Sequence, residues 1–203
     1  MGTGRLEAFS DGVLAIIITI MVLELRAPHD TGLAALRPLL PVLLSYVLSF
    51  VYLGIYWNNH HHMMYCTRRV TGAILWANLH LLFWLSLIPF VTAWMGEHPL
   101  ASIPTALYGL VLLMAGIAYL VLQGQILRVE GPQSVLAAAL GRDIKGKLSP
   151  LVYALAIGAA FVRPPIAEVL YLLAALWWLI PDRRIERALV QAQAGGSGGP
   201  KSD

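Results

Sequence analysis

Charge is scarce in this chain. Only 12% of its 203 residues are Asp, Glu, Lys or Arg, about half the share of an ordinary soluble domain. With 58% hydrophobic residues and a mean hydropathy of +0.70, a water-soluble globule is excluded. Cysteine is almost missing too. Cys66 stands alone, so there is no disulfide framework and no cysteine-built metal site. No internal repeat is visible, which argues against pseudo-symmetric halves within one chain. The formal charge of +3 is small, and no nucleic-acid partner is expected.

What the chain has instead is long apolar runs, several of them near the ~20 residues that cross a bilayer. They predict an all-α, polytopic membrane protein with six transmembrane helices, at 5–26, 38–66, 69–95, 101–127, 148–163 and 165–188. Pro38, Pro41, Pro104, Pro150 and the pair Pro164–Pro165 sit where helices start, as proline prefers. A short surface helix is expected at 132–140. The first run is no removable leader, because Asp11 interrupts it and no small-residue cleavage site follows. Residues 1–190 read as one membrane domain, and 191–203 as a flexible Gly/Ser-rich tail.

Orientation follows from Lys and Arg. With the N-terminus inside, the inner segments carry 11 of them (Arg5, Arg68, Arg69, Arg128, Arg142, Lys145, Lys147, Arg183, Arg184, Arg187, Lys201) and the outer ones 3 (Arg26, Arg37, Arg163). Both termini are therefore expected in the cytoplasm. Trp177 and Trp178 then fall in an inner aromatic belt.

The first run poses a problem. Twelve uncharged residues separate Asp11 from Glu24, about 18 Å of helix, and a charge deep in lipid costs at least ~2.5 kcal/mol. Such a helix belongs inside a bundle or against water. Stepping about 100° per residue, Gly12, Ile16, Thr19 and Leu23 share one narrow stripe, with Ile20 at its border. Asp11 lies away from it with Ala15, Ile18 and Val22, directed at neighbouring helices. On periodicity alone a packing seam is the preferred reading of the stripe.

A second pattern is polar. Counted from the helix ends, Asp11, His60, His61 and Asn78 fall at one depth, roughly 9–14 Å from the inner surface. Intramembrane polar groups pair with one another, which predicts a network of Arg5, Ser10, Asp11, Trp57, Asn59, His60, His61 and Asn78. It reads first as a lock holding helix 1 against helices 2 and 3, and second as a proton sensor, since histidine titrates near neutrality. A metal site is the weakest reading, because consecutive histidines on a helix point about 100° apart.

These residues are familiar in combination. The run R-x-x-x-F-S-D-G (Arg5, Phe9, Ser10, Asp11, Gly12), then W-x-N-H-H (Trp57, Asn59, His60, His61) and "LFWLSLIPFVTAWMGE" at 82–97 resemble the lysosomal potassium channel family, in its prokaryotic branch. The likeness covers essentially the whole chain to about residue 190. It implies a potassium-selective channel of the bacterial inner membrane, homotetrameric, without cofactor or metal and without enzymatic activity, whose partners are K+, its own copies and the lipid bilayer. The T-V-G-Y-G carbonyl filter of other potassium channels is absent. By the resemblance, helix 1 lines the pore. Ile16, Ile20 and Leu23 supply apolar constriction rings, and Thr19 the hydroxyl layer linked to selectivity. Asp11 and Glu24 stand near the two mouths. The alternative is a proton- or cation-coupled secondary transporter using the buried Asp and His. A hydrolase built on Ser10, Asp11 and His60 stands far behind, since no G-x-S-x-G elbow is present.

Overall fold

The computed structural model describes residues 2–28, 30–140 and 144–179, all helical or irregular, with no strand among them. The elements are α1 (Thr3–Leu23), a short 3₁₀ helix (Leu33–Leu39) that runs into α2 (Leu40–Tyr65), α3 (Gly72–Ser86), α4 (Ile88–Glu97), α5 (Ser102–Glu130), the six-residue α6 (Val135–Leu140), α7 (Ile144–Val162) and α8 (Pro164–Leu179). Five segments are long and apolar enough to cross a membrane, α3 and α4 counting as one, and α8 adds a shorter apolar helix. The expected extension of the sixth helix to residue 188, the cations Arg142, Arg183, Arg184, Arg187 and Lys201, and the 191–203 tail lie outside the described residues.

The third span departs from the continuous helix expected over 69–95. It breaks at Leu87, between α3 and α4. Pro89 is the cause: it offers no N–H to the carbonyl of Leu85 and its ring crowds that carbonyl, so the first helix stops and a new one starts with proline in its first turn. At its other end α3 is capped by Thr71, whose hydroxyl accepts from the backbone N–H of Ile74 at 3.4 Å. The expected surface helix after residue 131 is α6.

α5 is the scaffold. It packs on α3, α4, α7 and α8, and small residues let the backbones approach: Ala115 and Ala118 on α5, Ala156 and Ala160 on α7, Ala167, Ala174 and Ala175 on α8 are all buried. In lipid, where apolar surface alone gives no drive to associate, such close packing supplies the attraction. Gly109 is required at its place, because a methyl there would run into the Tyr171 hydroxyl and lie 2.9 Å from Ile157 Cγ1. Gly96 of α4 is equally constrained, with Val42 Cα only 2.8 Å from where a Cβ would stand.

Hydroxyls tie this half together. Ser49 bonds Thr92 at 2.7 Å and Tyr108 at 3.0 Å. The Tyr52 hydroxyl donates to the Tyr171 carbonyl at 2.6 Å, and that of Tyr171 to the Thr105 carbonyl at 3.0 Å. In a medium without water each bond relieves a buried polar group.

A candidate pore-lining helix and its polar anchor

Beyond Asp11, α1 is apolar nearly all round, so its sequence alone does not say which side faces inward. In the folded subunit Leu6, Ser10, Leu14, Ile17 and Met21 are buried, against α2, α3 and α4. The opposite side is open. Ile16 is 58% exposed and Leu23 74%, and Gly12, Thr19 and Ile20 are exposed with them. Phe9 is exposed on the same side, one turn before Gly12. The Thr19 hydroxyl donates to the carbonyl of Ile16 at 2.9 Å, which leaves the oxygen lone pairs free to face outward. Of the row expected to face neighbouring helices, Asp11 meets α2 at a flank and Ile18 reaches the core, whereas Ala15 and Val22 are exposed.

Ser10 anchors the buried side. Its hydroxyl donates to the Leu6 carbonyl at 2.9 Å and accepts from Asn78 Nδ2 at 2.9 Å. The Asn78 carbonyl oxygen then meets His60 Nε2 at 2.7 Å. Since an amide oxygen only accepts, His60 Nε2 carries the proton. All three residues are essentially sealed, and His60 Nδ1 has no partner among the described residues. This chain of donors joins α1, α2 and α3 through their interior.

A second set sits at the flank between α1 and α2. Trp57 Nε1 donates to Asp11 Oδ1 at 3.1 Å, and His61 Nδ1 donates to Glu7 Oε1 at 2.8 Å. Trp57 and His61 stack at 6.3 Å. Glu7 and Asp11 are four residues apart, as are Trp57 and His61, so two i,i+4 pairs face each other as two rungs. Glu7 was not among the expected members. The signal was present: it stands one turn before Asp11, as His61 stands one turn after Trp57.

Two expected members lie elsewhere. The Asn59 amide turns back to the Ile55 carbonyl at 2.8 Å, and the backbone carbonyl of Asn59 takes the Tyr119 hydroxyl at 3.5 Å. Arg5 is exposed and makes no ion pair among the described residues. Glu24 lies just beyond α1, exposed, and lines with Arg26 an open groove of ≈ 830 Å³ that runs between α1 and α4 past Ile16, Ile20, Phe90 and Trp94. Past the end of α2, burial first and then the nearby Glu130 charge push the Cys66 thiol up from its ordinary value.

The whole is a multi-pass membrane protein with one helix locked along its inner side by hydrogen bonds and left bare, yet partly polar, along its outer side. Residues 5–89 match the family described as endosomal/lysosomal potassium channel TMEM175. A potassium channel of Chryseobacterium sp. (strain P1-3) is 54% identical over 189 residues, covering 93% of this chain and 98% of that one. A second potassium channel, from Streptomyces collinus, is 33% identical over 87% of this chain and 91% of its own. Among solved structures, the crystal structure of a lysosomal potassium-selective channel TMEM175 homolog from Chamaesiphon minutus superposes with a TM-score of 0.74 at 29% identity, covering 89% of this chain and 97% of the other. The chain belongs to the TMEM175 family.

Proposed function

We propose that this chain is the subunit of a homotetrameric, potassium-selective channel of a bacterial inner membrane, with both termini in the cytoplasm. The observation that carries the reading is the open side of α1, where the Thr19 hydroxyl stands exposed among Ile16, Ile20 and Leu23, opposite the buried row Leu6, Ser10, Leu14, Ile17 and Met21. Four copies of α1 around an axis convert that side into rings. Rings of Ile16 and Leu23, with Ile20 beside them, constrict the pore and exclude water when closed. Thr19 supplies the one oxygen layer between them. With its proton committed to the Ile16 carbonyl, each hydroxyl turns lone pairs rather than hydrogen toward a partly dehydrated K+. The pore needs no resident cofactor, only the permeant ion.

Asp11 acts in this reading through α2. Its bond to Trp57 and the Glu7–His61 rung hold α1 at a fixed rotation, while Ser10, Asn78 and His60 fix its depth. Glu24 stands at the opposite mouth, where an acidic ring concentrates cations. The relatives' names as potassium channels and the absence of an internal repeat in the sequence weigh against a coupled carrier. The test is flux from purified protein in a planar bilayer under a K+/Na+ gradient, together with native mass. A channel passes current without proton exchange and runs as a tetramer. Flux that stops when the proton gradient is clamped would instead establish a coupled transporter.

A further inference from the structure

Two polar side chains on α2 and α3 remain unexplained. Asn58 is exposed and has no hydrogen-bond partner among the described residues. His80 is exposed too, and its Nε2 accepts from Trp84 Nε1 at 2.9 Å, so its proton sits on Nδ1 and points away unpaired. Both lie well inside membrane-crossing segments. A bare amide and a bare imidazole N–H are poor neighbours for lipid, which offers no acceptor at that depth.

Their depths match. The His60–Asn78 bond fixes residue 60 of α2 level with residue 78 of α3. The two helices run in opposite directions across the membrane, so residue 58 and residue 80 lie two residues, roughly 3 Å, further along in the same sense. They are on different flanks of the subunit. Trp57 and His61 mark the α2 flank, on the Asp11 side of α1. Phe90 and Trp94 mark the α3–α4 flank, across the groove from Ile20. Each flank carries a stripe with alternating steps of four and three: Leu43, Val47, Phe50, Gly54, Trp57, His61 on one, and Trp76, His80, Phe83, Leu87, Phe90, Trp94 on the other, all exposed except the half-buried Gly54, Leu87 and Trp94. That spacing is the seam of one helix seeking another.

We propose that the partner is a second copy of this chain, the α2 flank of one subunit packing against the α3–α4 flank of the next, with Asn58 of one copy accepting from His80 Nδ1 of its neighbour. The proposal rests on the ring assembly proposed above. Rotation about an axis along the membrane normal preserves depth, so it brings residues 58 and 80 of adjacent copies level. It also joins unlike flanks head to tail, which closes a ring. The two stripes then bury each other, and one bond pairs the His80 N–H with the Asn58 carbonyl oxygen.

The test uses the full chain with Cys66→Ser, co-expressed as two differently tagged forms, one carrying Asn58→Cys and the other His80→Cys. Mild oxidation in membranes is expected to give a disulfide-linked product bearing both tags, and none from either form alone. Absence of that product from protein that is tetrameric by native mass overturns the interface and leaves the tetramer standing. A product from Asn58→Cys alone would mean two-fold pairing, and overturns it as well. Monomers by native mass would overturn the assembly itself. Because cysteine variants can fail to fold, a mutant cycle gives a second reading. Asn58→Leu and His80→Leu should each weaken tetramer affinity about threefold per contact, while the double variant loses no more than one of them, both partners being then apolar. Strictly additive losses would contradict the bond.

Discussion

α1 and α5 are both long apolar helices, and their surroundings differ sharply. Half of the most apolar stretch of α5 is buried within the subunit, against 28% for α1. α5 packs on four helices, α3, α4, α7 and α8, and leaves the row of Ile103, Leu110, Ile117 and Val121 open. α1 is held along one side by Leu6, Ser10, Leu14, Ile17 and Met21 and is open along the other. The difference teaches how to read exposure in a membrane protein. An open apolar face on its own is what lipid requires, so it says little. An open face carrying Asn58 or His80 is different, because lipid leaves such groups unsatisfied and water, an ion or another subunit does not; the Thr19 hydroxyl, already bonded to the Ile16 carbonyl, carries no such penalty. Polarity on the open surface separates assembly faces from lipid faces.

The comparison can be broken at its glycines, with the largest effect expected on α5. Gly109→Val should abolish the folded subunit, since the added atoms run into Tyr171 and Ile157. Gly12→Ala should leave folding unchanged, because no neighbour lies within 4 Å of its Cβ position. The yield of monodisperse protein after detergent extraction reads both. Equal damage from the two would mean that α1 is packed all round.

The inner side of α1 should respond next. Asn78→Leu strands the His60 Nε2 proton in a sealed site, while Ser10 keeps its bond to the Leu6 carbonyl, and a stranded group costs about 1–3 kcal/mol. The thermal midpoint of the purified protein should fall clearly. Asp11→Ala should act more mildly on stability, since it removes one bond at a partly open flank. It should lower expression or tetramer yield more than it changes the K+/Na+ ratio; an unaltered tetramer with a changed ratio would place Asp11 on the ion path.

On the open side the expected order reverses, with small effects on stability and large ones on conduction. Ile16→Asn exchanges an exposed apolar residue for a polar one, so the thermal midpoint should scarcely move. If Ile16 forms a dewetting ring, hydrating it should raise single-channel or macroscopic current. An unchanged current in a well-folded tetramer would remove Ile16 from the constriction.

Much of this was legible before any coordinates. Apolar runs located the spans because a bilayer demands about 20 such residues whatever surrounds them, and the Ser10–His60–Asn78 layer was visible as polar groups at one depth. What escaped was local or rotational. The break at Leu87 is not visible from hydropathy, because Pro89 lies inside a run that stays apolar on both sides of it. Asn59 was counted with its neighbours in the polar layer, but consecutive residues point about 100° apart, and its amide closes on Ile55 instead. Ser49, Thr92 and Tyr108 gave no signal as a group, since a lone hydroxyl in an apolar helix usually bonds its own backbone, as Thr92 also does to Ile88 at 2.6 Å. For α1, near-uniform hydrophobicity beyond Asp11 conceals the inward side, so Ala15 and Val22 share the helical row of Asp11 and Ile18 without sharing their neighbours.

The smallest change in shape gives the most direct test of the central claim that the open side of α1 carries the ion path. Thr19→Val keeps the volume nearly constant and removes the only side-chain oxygen on the stripe between Gly12 and Leu23. The measurement is the reversal potential of wild type and variant under the same K+/Na+ gradient. The account predicts that wild type reverses toward the potassium potential, that Thr19→Val moves partway toward zero with the tetramer intact, and that Thr19→Ser stays close to wild type. Identical reversal potentials for wild type and Thr19→Val would contradict it, leaving Thr19 a packing residue and the filter elsewhere.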